Sequence, residues 1–183
     1  SLTSSNSSDA DNILSVKREI NNILIVAITS NRGLCGAFNS NILKEVQFLI
    51  KDKFKSSKVS IMTIGKKGTE FFAKKNLVYS SHDEIYDNLN YENVSSIAQK
   101  IMDSFIDGSF DKVILVYNQF KNAATQITKS EGFLPLENET SDQNSEVNNY
   151  IYEPSEELVL KELIPKSLKI QLLKSIKDSI ASE

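Results

Sequence analysis

The run NILIVAIT, Asn22–Thr29, constrains this chain more than any other stretch. It does not alternate between apolar and polar residues, so a strand built from it must be buried on both faces. That is the habit of parallel sheets covered by helices on each side. Val59–Ile64 and Val113–Tyr117 are short, β-branched and apolar in the same way, and Leu77–Ser80 is a weaker fourth strand. Helical patterns lie between them. In Ser40–Phe54 the residues Ile42, Leu43, Val46, Phe48, Leu49, Ile50 and Phe54 recur near a 3.6-residue period. Thr69–Lys75 reads as a short helix. Tyr91–Phe105 reads as a longer one, with Val94, Ile97, Ala98, Ile101, Met102 and Phe105 inward. Strands alternating with helices predict an α/β fold, a three-layer Rossmann-like domain with a mostly parallel sheet.

Beyond Tyr117 the pattern changes. Asn118–Lys121 predicts a polar turn, and Ala123–Lys129 an edge strand antiparallel to its neighbour. ENETSDQNSEVNN, Glu137–Asn149, has almost no apolar content and predicts a mobile loop. Pro165 suits the first turn of a helix striped by Leu168, Leu172, Leu173, Ile176 and Ile180. The expected organisation is a flexible lead-in at residues 1–15, a globular body at 16–164 with its loop at 137–149, and the start of a long carboxy-terminal helix at 165–183. The final DSIASE carries no stop signal, so that helix is expected to be cut in mid-course.

Composition narrows the functions. A net charge of −3 leaves no basic footprint for nucleic acid. No apolar run approaches the roughly 20 residues that span a bilayer, and SLTSSNSSDADN lacks the basic and apolar regions of a signal peptide. A single cysteine cannot form an internal disulfide and fits a reducing compartment.

The stretch SNRGLCGAFN, Ser30–Asn39, follows the first strand with two glycines around Leu34 and Cys35. A dinucleotide fingerprint needs GxGxxG, and only Gly33 and Gly36 are present, spaced GxxG. A phosphate loop needs GxxxxGK followed by Ser or Thr, and this loop has no lysine. A second glycine turn, Gly65-Lys66-Lys67-Gly68-Thr69, is also wrongly spaced. Amides at a helix start could still hold an anion weakly, and a tight structural turn explains the glycines equally. Cys35 as a nucleophile needs a base, and the one histidine, His82, lies in the polar SSHDE, where a solvated loop side chain is expected. No Cys/His cluster suits zinc and no acidic spacing suits calcium. The residues predict no metal, no cofactor and no active site.

TSNRGLCGAFN resembles the signature that follows the first strand in the γ subunit family of F-type ATP synthases. The resemblance continues through IGKKGTEFF, VILVYNQFKNAATQ, FLPL and YIYEPSEELVLKELIPKSLKIQLLKSIKDSIASE, from about Val16 to Glu183. It implies a non-catalytic rotor part of the central stalk, coupling proton flow through a membrane ring to the catalytic subunits. The family's long amino-terminal helix and most of its carboxy-terminal helix, the coiled-coil shaft, are missing from this sequence. The resemblance places Asn31, Arg32, Gly33, Leu34, Cys35 and Gly36 toward the α and β subunits, near acidic lever loops of β. It places Tyr150, Tyr152, Glu153 and Pro154 near the ε subunit and the c-ring. It implies a peripheral location at the cytoplasmic face of a bacterial inner membrane, without membrane insertion. Arg32 offers an always-charged fork for carboxylates, and Tyr150 and Tyr152 offer amphipathic contact surface. The rival reading is a small Rossmann-like nucleotide- or cofactor-binding module, which draws on strand, glycine loop and helix alone.

Overall fold

A computed structural model describes residues 12–32, 37–137 and 155–183. Five strands form one sheet: β1 (Asn22–Ile28), β2 (Lys58–Ile64), β3 (Val78–Ser81), β4 (Lys112–Asn122) and β5 (Thr125–Leu134). Their order is β3-β2-β1-β4-β5, with β5 alone antiparallel to its neighbour. The helices are α1 (Ala37–Phe48), α2 (Lys66–Ala73), α3 (Tyr91–Ile106) and α4 (Ile164–Ser182).

β1 is the centre, and Ile23 to Ile28 are all 0% exposed. Its side chains divide by parity, as a pleated strand requires. Ile23, Ile25 and Ala27 pack with Ile42, Val46 and Leu49 of the α1 segment, and with Phe72 of α2. Leu24, Val26 and Ile28 face the opposite layer, with Val94, Ile101 and Phe105 of α3 and Leu168, Leu172 and Ile176 of α4. Each fully buried side chain of this size contributes about 1.5–3 kcal/mol. The unbroken apolar run and the three-layer architecture are therefore the same fact.

Several boundaries differ from the sequence reading. Asn118–Lys121 is not a turn: β4 runs to Asn122, the turn is Ala123–Ala124, and β5 continues to Leu134. Asn118 is tolerated in a buried strand because its amide donates to the Phe38 carbonyl (2.9 Å) and accepts from Thr128 Oγ1 (2.7 Å). α1 starts before Ser40 and passes into a π-helical turn, Leu49–Lys53, which shifts the phase of the apolar stripe. Leu49 is thereby buried and Phe48 left 52% exposed. α2 begins at Lys66 and takes Gly68 into its first turn, where a Cβ would sit 3.1 Å from Thr29 Oγ1. Pro165 stands in the first turn of α4, as expected. Helical backbone already runs from Glu156 through a π-helical turn, Val159–Leu163, just ahead of the proline. A π-helical turn alters the hydrogen-bond ladder where proline has no N–H to give. Ile180 faces outward, and Ser175 and Ser179 are buried instead, small enough to bring α4 close to the sheet. Leu14, inside the expected lead-in, is buried, and its carbonyl accepts from Leu136 N at 2.7 Å.

Candidate functional site

Three loops meet where the parallel strands end at their carboxyl edge. The first leaves β1 through Thr29 and Ser30, both 0% exposed. Asn39, in the first turn of α1, folds back on it. Its Oδ1 accepts from Ser30 N (3.0 Å) and its Nδ2 donates to Ser30 Oγ (2.8 Å). Ser30 Oγ in turn donates to the Arg32 carbonyl at 2.7 Å.

The second loop is the turn into α2. Gly65 adopts φ +112°, in the left-handed region that favours glycine. The orphan amides at the start of α2 all find acceptors within the chain. Lys66 N donates to Asn31 Oδ1 (2.9 Å), Lys67 N to the Ser30 carbonyl (3.2 Å), and Gly68 N to Thr29 Oγ1 (2.9 Å). The third loop, the 3-10 turn Asp83–Asp87, supplies a carboxylate. Asp83 Oδ1 accepts from Gly65 N (3.0 Å) and Thr69 Oγ1 (2.8 Å), and its carbonyl accepts from Asn31 Nδ2 (3.2 Å). The helix start that could have cradled a phosphate is thus occupied by Asn31, Ser30, Thr29 and Asp83.

The reversal point of the strand order, between β1 and β4, is where open α/β sheets place ligands. Here Phe38 and Asn118 are both buried, and the Asn118 amide joins β4 to α1 through the Phe38 carbonyl. The end of α4 also reaches this edge, where Ser182 Oγ donates to the Asn118 carbonyl at 3.5 Å. Tyr86 OH donates to the Thr29 carbonyl (2.6 Å), and burial, with Glu183 and Asp83 nearby, pushes its phenol pKa upward. Burial raises the Glu183 carboxyl, and the Arg32 cation pulls it back. The loop bearing Arg32 is therefore electrostatically linked to the end of α4.

Of the sequence-derived contact residues, Arg32 is exposed and Asn31 is an internal brace holding α2 and the Asp83 turn. Gly33, Leu34, Cys35 and Gly36 lie outside the described residues, as do Tyr150, Tyr152, Glu153 and Pro154. Thr29, Asn39, Asp83 and Tyr86 escaped the sequence reading. Thr29 and Asp83 carried one signal, a polar residue close after a strand, which turn chemistry makes common; Asn39 and Tyr86 carried none. Among the described residues, no three His, Cys, Asp or Glu side chains converge as metal ligands, and no helix is long and apolar enough to cross a membrane.

His82 corrects its expectation. Its side chain is 12% exposed rather than solvated, because its backbone N–H pairs with the Thr63 carbonyl at 2.8 Å and draws it against the sheet. Burial pushes its pKa below the usual 6.5, against the pull of Glu84. The folded chain therefore resists protonation more than the unfolded one. Stability is whole above pH 6.5 and falls as pH drops from there through the lower folded value. Thermal unfolding between pH 7.5 and 5.5 should show a fall in Tm that His82→Gln flattens. An equal fall in the variant would refute the assignment.

The ATP synthase family profile matches residues 1–183. The chain is 49% identical over 175 residues to the ATP synthase gamma chain of Christiangramia forsetii, spanning 96% of this chain and 61% of that one. The chain belongs to the ATP synthase gamma chain family. It is also 50% identical over 167 residues to the gamma chain of Flavobacterium johnsoniae, covering 91% of this chain and 58% of its relative. The chain thus spans about three-fifths of the length of these gamma chains. Its fold matches a chain in the cryo-EM structure of the Tetrahymena thermophila mitochondrial ATP synthase central stalk and c-ring, with a TM-score of 0.66 and 25% identity, over 100% of this chain and 80% of that one. A rotor chain of the Euglena gracilis mitochondrial enzyme shares the fold at a TM-score of 0.64 and 18% identity, over 94% of this chain and 69% of that chain.

Proposed function

We propose that this gamma-family domain works as a non-catalytic part of the central-stalk rotor, coupling proton translocation through a membrane ring to ATP synthesis in the catalytic subunits. One observation carries the choice against a nucleotide-binding module: the amides at the start of α2 are all accepted by the chain's own groups, with the Asp83 carboxylate seated at the turn. A phosphate would have to displace that carboxylate and then bear its repulsion. What the edge offers outward is Arg32, on a loop braced by Asn31 and Asn39.

In this reading residues 16–164 form the stalk's globular body and 165–183 begin the shaft helix. Asn31 to Gly36 face the α and β subunits, and Tyr150, Tyr152, Glu153 and Pro154 face the ε subunit and the c-ring. The assembled part is peripheral, on the cytoplasmic face of a bacterial inner membrane. Three loops cross-braced by hydrogen bonds suit a body that passes torque without yielding.

Calorimetric titration of the chain with ATP and with NAD tests the choice. The expected result is no binding in the micromolar range and no ATP hydrolysis. Micromolar binding, lost when Gly33 or Gly36 is changed, would favour the cofactor-binding module.

A further inference from the structure

The sheet has two edges, and they differ. β3 closes one with four residues, while β5 leaves ten, Thr125–Leu134, along the other. β5 pairs with β4 on one side and, among the described residues, with no strand on its other side. Its sequence TQITKSEGFL contains no proline, and Thr125, Ile127, Ser130 and Gly132 are exposed. Such an edge presents a row of unpaired N–H and C=O groups, a template for a further strand. A cleft of about 590 Å³ runs beside its end, lined by residues 131–137 in unbroken succession. Side chains alternate between faces along a strand, so a wall of consecutive residues follows the backbone edge itself. Gly132 stands in that wall, and a Cβ built there meets nothing within 4 Å. A glycine within a strand often marks the close approach of another backbone.

Charge says what fits there. Lys129 and Glu131 lie opposite Tyr117 and Leu115 of β4, on the face that carries α4. Glu131 accepts from neutral donors, Tyr117 OH (3.2 Å) and Gln171 Nε2 (3.4 Å), and among the described residues neither Lys129 nor Glu131 enters an ion pair. The strand is complementary to itself. When two copies of β5 run antiparallel about Ser130, Lys129 of each stands opposite Glu131 of the other. Thr128 then faces Gly132, and Ile127, 37% exposed, comes to Phe133 in the wall of the cleft. Centring the pair on either neighbour of Ser130 would set Lys129 against Lys129 or Glu131 against Glu131, and like charges directly opposite destabilise a pair of strands. The helices leave room. α4 packs over β4 more than over β5, so its two copies would lie about three strand spacings, roughly 14 Å, apart, beyond the 8–10 Å of packed helices. Each Ser130 also carries the Glu45 carboxylate toward the axis (2.8 Å), which keeps the pairing weak.

We propose that the free edge of β5 binds a second copy of this chain, the two strands pairing antiparallel about Ser130 into one continuous sheet, with reciprocal Lys129–Glu131 pairs fixing the register. The contact does not involve Arg32 and stands apart from the rotor reading.

Sedimentation velocity of the chain, from micromolar to near-millimolar concentration in low salt, tests this. The expected result is a reversible monomer–dimer equilibrium. Lys129→Glu and Glu131→Lys should each weaken it at least tenfold, because each turns both cross-strand pairs from attraction to repulsion. The double reversal K129E/E131K should restore it, with amide NMR spectra showing all three variants folded. A monomer at every concentration overturns the proposal. So do single reversals that dimerise like the parent, or a folded double reversal that stays monomeric. Where a variant unfolds, hydrogen exchange of the parent chain decides. The amides of residues 126–132 that do not pair with β4 should gain protection as concentration rises, and protection independent of concentration overturns the proposal.

Discussion

Gly65→Ala should destabilise the chain by about 3–5 kcal/mol, among the largest effects available to a single methyl group. Two causes act together. At φ +112° a side chain is strained wherever it points. Here it would also meet the Thr29 carbonyl oxygen at 2.1 Å and the Thr29 carbonyl carbon at 2.5 Å. Those atoms cannot retreat easily, because Thr29 N is paired to the Ile64 carbonyl (2.8 Å) and Thr29 O accepts from Tyr86 OH (2.6 Å). Gly108 is the matched control. It too has positive φ, +86°, but a Cβ there meets nothing within 4 Å. Gly108→Ala should therefore cost only the backbone strain, about 1 kcal/mol. Urea unfolding of the two variants reads the difference. Equal losses would mean that the contact with Thr29 is not what the glycine serves.

Asp111→Ala should cost about 2–4 kcal/mol, since it breaks a partly buried ion pair and strips the acceptor from two backbone amides. Asp111 sits at the amino end of the sheet, its side chain 11% exposed. Its Oδ1 accepts from Arg18 Nε (3.2 Å), and its Oδ2 from Asn21 N (3.0 Å) and Asn22 N (2.9 Å), tying the entry of β1 to the entry of β4. Arg18 also donates to the Phe105 carbonyl (3.0 Å) and the Phe110 carbonyl, and lies 4.4 Å from the Phe105 ring centroid. Alanine would leave two backbone donors unpaired and a guanidinium without its counter-ion. Burial alone would raise the Asp111 carboxyl, but the Asn22 and Asn21 amides and Arg18 hold it below its ordinary range. A carboxyl depressed in the folded state adds stability above its unfolded pKa, and that stability is lost as pH falls through the folded value. Asp111→Asn should thus be milder than alanine at neutral pH and should lose part of the acid dependence. A loss under 1 kcal/mol for Asp111→Ala would contradict this account of the sheet's amino end.

The contrast between β1 and β4 explains what the sequence made legible. NILIVAI is apolar at every position but its first, so its double burial could be read without a partner in view. The later half of β4, NQFKN, is polar because the hairpin runs past the end of β1, whose pairing with β4 stops at Ala27 and Val116. Nothing local distinguishes such a ribbon from a turn. The same holds at the carboxyl edge. The exposed Arg32 was legible from its place between a buried strand and a glycine. Asp83 was not, since its role arises only when a turn 18 residues after Gly65 is folded beside it. His82 was misread because SSHDE is polar in composition, while β3 and the Asp83–Asp87 turn hold its imidazole against α3. The π-helical turns at Leu49–Lys53 and Val159–Leu163 shift helical phase by one residue, and no periodicity argument over an ideal helix anticipates that.

If the carboxyl edge is a contact surface of a rotor, its exposed cation should matter to the assembled machine and not to the fold. Full-length gamma chain bearing Arg32→Glu, reassembled with its partner subunits, is the decisive sample. Thermal unfolding of the 183-residue chain should shift only slightly, as the contacts of an exposed charge, here including its pull on Glu183, contribute little to stability. ATP-driven proton pumping should fall relative to ATP hydrolysis, more so at low ionic strength, where charge contacts reach beyond the roughly 10 Å Debye length of 0.1 M salt. Arg32→Ala should lie between the parent and the reversal. Normal pumping by Arg32→Glu, with the chain folded, would contradict the rotor-contact account.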